Sequence, residues 1–236
     1  MGVARYDGHA DWYDTTFRHL ADGSAGLLAA LLGRPDPAHP LCVDIGCGTG
    51  LHTAAVRSAG HTVLGVDLSA DQLRVAFARN PLVVRADAAR LPLPDHCAGA
   101  VVMTFTHTDV DDFSGVVAEA ARVLRPGGRL VYIGLHPAYV GAFVDRHGEA
   151  ADRRLTFSVG YGDEQRHVDP TGRFPVRSRV GARNLTLATF LGAFLAQPSL
   201  SLVGLTELDT EMRPWRVESV DGRIVPWNLA VTAVGR

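Results

Sequence analysis

The stretch from Leu41 to Gly50 constrains the fold of this chain more than any other. An apolar run ends in an acidic residue, and three glycines follow at every second position. This pattern predicts a buried β-strand that enters a turn too tight for side chains, with a helix beginning just beyond it. Glycines in such a turn let a ligand approach the backbone, and the first N–H groups of the helix can donate to it. The stretch therefore predicts a ligand-binding loop at the end of a strand.

The spacing of the glycines separates this loop from the dinucleotide-binding fingerprint. That fingerprint places glycines at its first, third and sixth positions. Here Gly46 and Gly48 fill the first two, but Leu51 stands at the sixth, and the third glycine comes one residue early at Gly50. The loop keeps the character of a nucleotide-binding turn and departs from the form typical of NAD-binding proteins.

Strand and helix patterns alternate through the first half of the chain. After the loop, the apolar periodicities predict the helices Leu51–Ala59 and Phe113–Leu124, a further helix between Ser69 and Asn80, and the strands His61–Val66, Leu82–Ala86, Ala100–Phe105 and Leu130–Leu135. Ser69, with Gln72 three positions on, is predicted to form a capping box at the start of the helix that it precedes. Two later strands, Leu200–Leu208 and Trp227–Val234, suit an antiparallel hairpin at the sheet edge. The prediction is an α/β fold: a doubly wound, Rossmann-like, seven-stranded sheet, mostly parallel, with helices on both faces.

Two segments lie outside this alternation. The first forty residues predict two helices, roughly Ala10–Leu20 and Ser24–Leu32, that precede the sheet. The segment His136–Asn184, inserted after the fifth strand, is rich in glycine and lacks clear periodicity, but its five aromatic residues argue against disorder. We expect residues 136–184 to form a lid over a substrate, within a single domain that spans residues 1–236.

The composition and charge of the chain limit which binding partners and which cellular location are expected. The formal charge is −2, the pI is near 6.5 and the arginines are scattered, so no basic surface for a nucleic acid is expected. Three cysteines without a C-x-x-C pair favour a reduced, cytoplasmic setting. No apolar run approaches the ~20 residues needed to cross a bilayer. The ten histidines show none of the ligand spacings of a zinc site, so no metal is expected.

Three predicted strands in a row end in an acidic residue: Asp44, Asp67 and Asp87. In an open parallel sheet, ligands bind beyond the carboxyl ends of the strands. The second acid is placed to accept hydrogen bonds from both hydroxyls of a ribose, and Leu68 beside it can cover a purine. Asp87 and Ala88 lie where an adenine amino group would fall. The series predicts a ligand of the nucleoside type.

The order of these motifs resembles the class I S-adenosylmethionine (SAM)-dependent methyltransferases, and most closely their small-molecule branch, the ubiquinone/menaquinone and natural-product type. The resemblance is carried by the acid–glycine loop, Val66-Asp67-Leu68-Ser69, Ala86-Asp87-Ala88, Leu91-Pro92-Leu93-Pro94-Asp95 and Arg122-Val123-Leu124-Arg125-Pro126-Gly127-Gly128. It implies that SAM is the cofactor, with S-adenosylhomocysteine as its product. The Asn/Asp-Pro-Pro-Tyr motif of many nucleic-acid amino methyltransferases is absent after the fourth strand.

The resemblance also implies roles for individual residues. The methionine part of SAM falls to the glycine loop, the ribose to the acid of the second strand, and the adenine to the acid of the third. Tyr13, in a segment that resembles the family's first helix, is expected to close over the methionine part. The predicted cofactor-binding residues are Tyr13, Asp44, Gly46, Cys47, Gly48, Gly50, Asp67, Leu68, Asp87, Ala88 and Thr104.

Methyl transfer to a hydroxyl, an amine or an indole-type carbon can require a base that takes the acceptor's proton. Two histidines follow neighbouring predicted strands and are the candidates: His107 after the fourth and His136 after the fifth, with the second slightly favoured. Tyr161 in the lid is a third candidate. The acceptor is expected to be a small, at least partly aromatic molecule. The sequence does not identify it, and does not distinguish a monomer from a homodimer.

Two alternatives to a methyltransferase remain open at this stage. A SAM-binding protein that does not methylate, such as a cyclase or a partner subunit, would carry the same loop, because the loop reports the ligand and not the reaction. An NAD-dependent oxidoreductase would also use Asp67, but Leu51 and the two late strands argue against it.

Overall fold

The computed structural model describes residues 3–139, 144–147, 154–157, 159–172, 174–214 and 225–236. The helices are α1 (Ala10–Leu32), α2 (Thr53–Ser58), α3 (Ala70–Phe77), α4 (Phe113–Val123), α5 (Pro175–Val180) and α6 (Leu187–Leu195). The strands are β1 (Leu41–Ile45), β2 (Thr62–Asp67), β3 (Val83–Arg85), β4 (Ala98–Thr104), β5 (Leu124–Leu135), β6 (Val144–His147), β7 (Arg154–Phe157), β8 (Arg166–His167), β9 (Ala182–Arg183), β10 (Leu200–Leu208) and β11 (Asn228–Gly235).

Seven of these strands form one sheet in the order β10-β11-β5-β4-β1-β2-β3. Strands β1 to β5 run parallel, and β11 lies antiparallel between β5 and β10. This confirms the predicted doubly wound, mostly parallel sheet with a late antiparallel hairpin. The parallel strands all end at one edge, so the residues that follow β1, β2, β3, β4 and β5 converge there.

Helices cover both faces of the sheet, as predicted. On one face, α4 and α6 bury an aromatic cluster against β5 that contains Phe113, Tyr132, Phe190 and Phe194. On the other, α1 and α2 pack Leu28, Leu32 and Val56 against the same strands. Alternate residues of the buried strands therefore point into two separate hydrophobic cores, one on each face of the sheet. Close packing in these cores keeps the sheet rigid next to the edge where the parallel strands end.

The first helix differs from the prediction. The sequence predicted two helices separated near Gly23, but α1 continues unbroken from Ala10 to Leu32. A glycine inside a helix costs about 1 kcal/mol relative to alanine. Here Ala21, Ser24 and Leu28 are buried on one side of the helix, and the Ser24 hydroxyl bonds to the backbone of the preceding turn. Packing of this face stabilises the helix across the glycine.

The predicted lid contains more secondary structure than its sequence suggested. Its described parts include the paired strands β6 and β7, the paired strands β8 and β9, and α5. Residues 140–143, 148–153, 158 and 173, with the predicted lid aromatic Phe143, lie outside the described residues. The assignment of 136–184 as a lid, and of the chain as a single domain, stays a prediction.

Candidate functional site

Two cavities open at the edge where the parallel strands end. The polar cavity, of about 460 Å³, is lined by residues that include Asp67, Leu68, Gln72, Asp87 and Ala88. The apolar cavity, of about 480 Å³, is lined by residues that include Phe17, Leu51, His52, Val176 and Trp227. They share one wall, which consists of Tyr6, Tyr13, Gly46, Gly48, Thr104, Phe105 and Asp109. Molecules bound in the two cavities would therefore meet at this wall.

The glycine loop forms part of the shared wall, and its shape requires glycine. Gly46, Gly48 and Gly50 all have positive φ, at 72°, 54° and 77°. A Cβ on Gly46 would lie 2.5 Å from Thr106 Cγ2, and one on Gly50 would lie 3.2 Å from Thr53 Oγ1. The space beside Gly48 is less crowded. This loop has the conformation that the sequence predicted, a turn that brings its backbone within reach of a ligand.

Asp67 ends β2 and braces the loop from the neighbouring strand. Its carboxylate accepts hydrogen bonds from the N–H groups of Gly48 and Ser69, both at 2.9 Å. Burial raises the pKa of Asp67, and these two hydrogen bonds oppose the rise. Each carboxylate oxygen can accept a further hydrogen bond, so the residue can hold the loop and accept from a ligand in the polar cavity at the same time.

Asp44 occupies a different position from the other acids. It is 1% exposed within β1, and its Oδ1 has no hydrogen-bond partner. Burial, with a smaller contribution from the nearby charge of Asp67, raises its pKa to about 7. Among the predicted cofactor residues, Asp44 and Gly50 are absent from the described linings of both cavities.

Gln72 is a residue of the polar cavity that sequence reasoning assigned only to helix capping. The backbone N–H of Gln72 donates to the Ser69 hydroxyl at 3.1 Å, which confirms half of the predicted capping box. The side chain does not turn back to complete the box. Its amide nitrogen and oxygen are buried beside the cavity without hydrogen-bond partners. A buried, unpaired amide costs stability, so its presence at the cavity wall fits a ligand that supplies the missing bonds.

The segment before α1 covers the polar cavity. Asp71 of α3 accepts hydrogen bonds from the N–H groups of Gly8 and Ala10, at 2.9 and 3.1 Å, and so caps α1 from outside. The Ser69 hydroxyl donates to Asp7 at 2.6 Å. These contacts hold Tyr6 and Tyr13 at the shared wall, where their rings pack edge to face at 5.4 Å. Tyr13 therefore lies on the same wall as Gly46 and Gly48, and its role toward the methionine part of SAM stays a prediction.

His52 lies in the apolar cavity, and sequence reasoning missed it. One ring nitrogen is 3.1 Å from Thr104 Oγ1 and the other is 2.9 Å from Ser24 Oγ. Burial lowers its pKa to about 4, so the ring is uncharged at neutral pH. Ser24 lies within α1, and His52 follows the glycine loop, so no local pattern in the sequence links the two. His52 is a neutral polar group in an otherwise largely apolar wall.

The two histidines predicted as bases lie away from the described walls of the two cavities. His107 is 1% exposed in the aromatic core, with its Nδ1 2.5 Å from the Tyr132 hydroxyl, and burial lowers its pKa to about 3. His136 is 2% exposed; it accepts from the Ala138 N–H and lies 3.1 Å from Glu207. Neither lines the described walls of the cavities. Tyr161, the third candidate base, is also absent from the described walls of the two cavities. Its hydroxyl accepts a hydrogen bond from the N–H of Leu187.

Part of this sequence is similar to known proteins. Residues 43–132 match the family described as "Methyltransferase domain". The chain contains a methyltransferase domain. A demethylmenaquinone methyltransferase of Mycobacterium marinum is 35% identical over 135 residues, which cover 55% of this chain and 57% of that protein. A putative 23S rRNA (guanine-N(1)-)-methyltransferase of Micromonospora griseorubida is 33% identical over 174 residues, 68% of this chain and 54% of that protein. The chain thus spans little more than half the length of these curated relatives.

A solved structure extends the likeness beyond the matched domain. The S-adenosylmethionine-dependent methyltransferase from Mesorhizobium loti superposes with a TM-score of 0.67 at 24% identity, over 91% of this chain and 99% of that one. This chain therefore has the fold of the class I SAM-dependent methyltransferases, which confirms the fold that the resemblance implied. Among the described residues no helix is both long and apolar enough to cross a membrane, and no cluster of potential metal ligands occurs.

Proposed function

We propose that this chain transfers a methyl group from SAM to a small molecule whose body is apolar and at least partly aromatic. The observation that carries the proposal is the pair of cavities with a common wall at the glycine loop. One cavity has the acids and the amide that a nucleoside needs. The other offers a largely apolar surface for a second molecule. A transfer reaction needs this adjacency, since its two substrates must be aligned in one water-poor space.

The polar cavity would hold SAM. In this assignment Asp67 accepts from the ribose hydroxyls, Asp87 and Ala88 lie beside the adenine, and Leu68 covers the purine. Gly46 and Gly48 face the methionine part, with Tyr13 above it and Thr104 opposite, and Cys47 lies between the two glycines on the side of the apolar cavity. Gln72 joins the set because its unpaired amide lines the same cavity. SAM supplies a methyl group on a positively charged sulfur, and the rings of Tyr6 and Tyr13 suit a cation.

The apolar cavity would hold the acceptor. Phe17, Phe105, Val176 and Trp227 offer apolar and aromatic surface, while His52 offers one neutral polar contact. Aromatic walls favour flat rings over chains of similar volume. The names of the relatives include both quinone-precursor and rRNA methyltransferases, but the charge of −2 supports a small acceptor over a polyanion. The absence of a nucleic-acid partner and the cytoplasmic location stay predictions.

Calorimetry tests the cofactor. SAM and S-adenosylhomocysteine should bind, and NAD should not; tight NAD binding would favour the oxidoreductase alternative. Asp67→Ala should weaken SAM by about 2–4 kcal/mol through the loss of two hydrogen bonds to a charged group. Gly48→Val should abolish binding, because its backbone has φ 54° and its side chain would enter the cavity. Exposed Asp22→Ala is the matched control for Asp67 and should leave the affinity unchanged.

Activity needs a separate test. Wild-type protein with SAM carrying a tritiated methyl group is incubated with a small-molecule extract and, in parallel, with total rRNA. Label should enter one low-molecular-weight fraction and leave rRNA unlabelled. Label in rRNA alone would overturn the small-molecule assignment. Normal SAM binding without any transfer would favour the non-methylating alternative.

A further inference from the structure

The shared wall contains three titratable side chains among the described residues: Tyr6, Tyr13 and Asp109. Groups on this wall are the ones that can reach a methyl group and its acceptor together. Burial, then the charge of Asp109, raises the pKa of both tyrosines above the ordinary value. They stay protonated at neutral pH and cannot take up a proton. Asp109 is therefore the one of the three that can act as a base.

Asp109 is fixed in place through its backbone, and one of its two carboxylate oxygens is left available. Its N–H donates to the Thr106 carbonyl at 3.0 Å, and its own carbonyl accepts from Arg166 at 2.7 Å. The carboxylate oxygen Oδ1 is buried and has no hydrogen-bond partner. A buried acceptor without a donor is costly, so a ligand group that donates a hydrogen here would be stabilised by the site.

We propose that Asp109 is the catalytic base of this site, and that the acceptor carries an O–H or N–H group which loses its proton during methylation. The inference rests on the proposed methyltransferase function. As the acceptor's O–H or N–H bond breaks, its proton passes to Asp109 Oδ1, and the freed electron pair of the acceptor forms the bond to the methyl carbon. The carbon–sulfur bond breaks with its electron pair left on sulfur. Asp109 returns the proton to water when the product leaves.

The electrostatics of the wall suit this role. Burial raises the pKa of Asp109 to about 7, against the opposing effects of the Tyr6 hydroxyl and of Arg166 and Arg5. A base is most effective when its pKa lies near the working pH. Charged or titratable groups act on this carboxyl from every side; they are Arg5 and Tyr6 before α1, Tyr13 on α1, Asp67 at the end of β2, Tyr132 on β5 and Arg166 on β8.

The first test uses the ligand-free protein and needs no acceptor. Infrared spectra are recorded between pH 4 and 9 for wild type and for Asp109→Asn. The difference between the two should contain one carboxyl group that titrates near pH 7. Asp22→Asn, which removes an exposed aspartate of α1, should leave the carboxyl group that titrates near pH 7 unchanged. If the group removed by Asp109→Asn titrates near the reference aspartate pKa of about 3.9, the proposal is overturned.

The second test uses SAM with the acceptor fraction that wild type labels. Asp109→Asn should lower the rate at saturating SAM by about 10²–10⁴-fold and change the dissociation constant of SAM less than about threefold. The wild-type rate should rise with pH to a plateau above about 7, since only the ionised carboxylate accepts a proton. Asp22→Asn should match wild type.

Failures of the two proposals look different. If wild type labels no acceptor, the proposed function fails and this inference fails with it. If wild type labels an acceptor and Asp109→Asn labels it at the full rate, only this inference fails. A variant that binds SAM more than about tenfold more weakly but turns over normally at saturation would make Asp109 a cofactor anchor, which also overturns the inference.

Discussion

The carboxylate of Asp14 and the guanidinium of Arg79 join α1 to the end of α3 through two nitrogen–oxygen contacts of 2.8 and 2.9 Å. Arg79 also donates to the Thr49 carbonyl of the glycine loop at 2.8 Å. Burial would raise the pKa of Asp14, but the hydrogen bonds and charge of Arg79 hold it below its usual value. Arg79, which follows α3, thus connects α3 to α1 and to the glycine loop.

Removal of this connection should loosen the site. We expect Arg79→Ala to lower the free energy of unfolding by about 2–4 kcal/mol, because it leaves the buried carboxylate of Asp14 with a weaker partner. It should also weaken SAM binding, since the loop loses its tether. Arg18→Ala is the control: Arg18 pairs with the same carboxylate from a 57% exposed position, and such pairs contribute about 0–1 kcal/mol. Urea denaturation and calorimetry measure both effects. Equal losses in the two variants would contradict the tether.

Gln72→Leu should separate binding from stability. The substitution removes a buried amide that has no partner in the ligand-free protein, so the free energy of unfolding should rise by about 1 kcal/mol or more. SAM affinity should fall by about 1–2 kcal/mol, since the amide can no longer bond to it. Urea denaturation and calorimetry on the same protein decide the matter. If SAM affinity is unchanged, the amide does not contact the cofactor.

His136→Asn should retain turnover within about threefold of wild type, because His136 lies outside the described cavity walls and holds Glu207 and the Ala138 N–H. The loss of these contacts should instead lower the unfolding temperature. His107→Asn should behave in the same way, since it removes a partner of the Tyr132 hydroxyl inside the core. Rates at saturating SAM and thermal melts test both. A hundredfold loss of turnover in a stably folded variant would restore the histidine as a base.

Asp44 should make the stability of the ligand-free protein depend on pH. Its folded pKa, about 7, lies above its unfolded value, so the folded state binds the proton more tightly. The stability that this proton provides is complete below the unfolded pKa and is lost as the pH rises through about 7. Asp44→Asn removes this term. The variant should therefore lose less unfolding temperature than wild type between pH 5 and pH 8, as measured by differential scanning calorimetry.

The sequence predicted the fold, and the convergence of Asp67 and Asp87 on one cavity, because both rest on local patterns. Alternating apolar periods identified the strands, and the acid that ends β2 and the acid that follows β3 lie at the same edge of the sheet. The direction of side chains after β4 could not be predicted in this way. Phe105 adopts a positive φ of 55°, which is unusual for a residue with a side chain. Along this turn Phe105 and Asp109 lie on the shared wall and His107 lies in the core.

Contacts between distant segments account for the other omissions. The role of His52 depends on Ser24 of α1, and the amide oxygen of Gln72 lies next to Gly48 of the glycine loop, which is distant in the sequence. Neither residue belongs to a motif that spacing alone reveals. Where a helix ends also depends on tertiary packing. Gly23 predicts the end of a helix, but packing of the buried face of α1 keeps the helix continuous past this glycine.

The close approach of Gly46 to Thr106 also limits how this site can change over generations. The two positions are separated by sixty residues of sequence, yet the space for a Cβ at the first is filled by the methyl group of the second. A larger residue at position 46 needs a smaller one at position 106, in addition to tolerance of the positive φ. Substitutions at these two positions should therefore be inherited together, and an alignment of descendants of this chain would record them as one covarying pair.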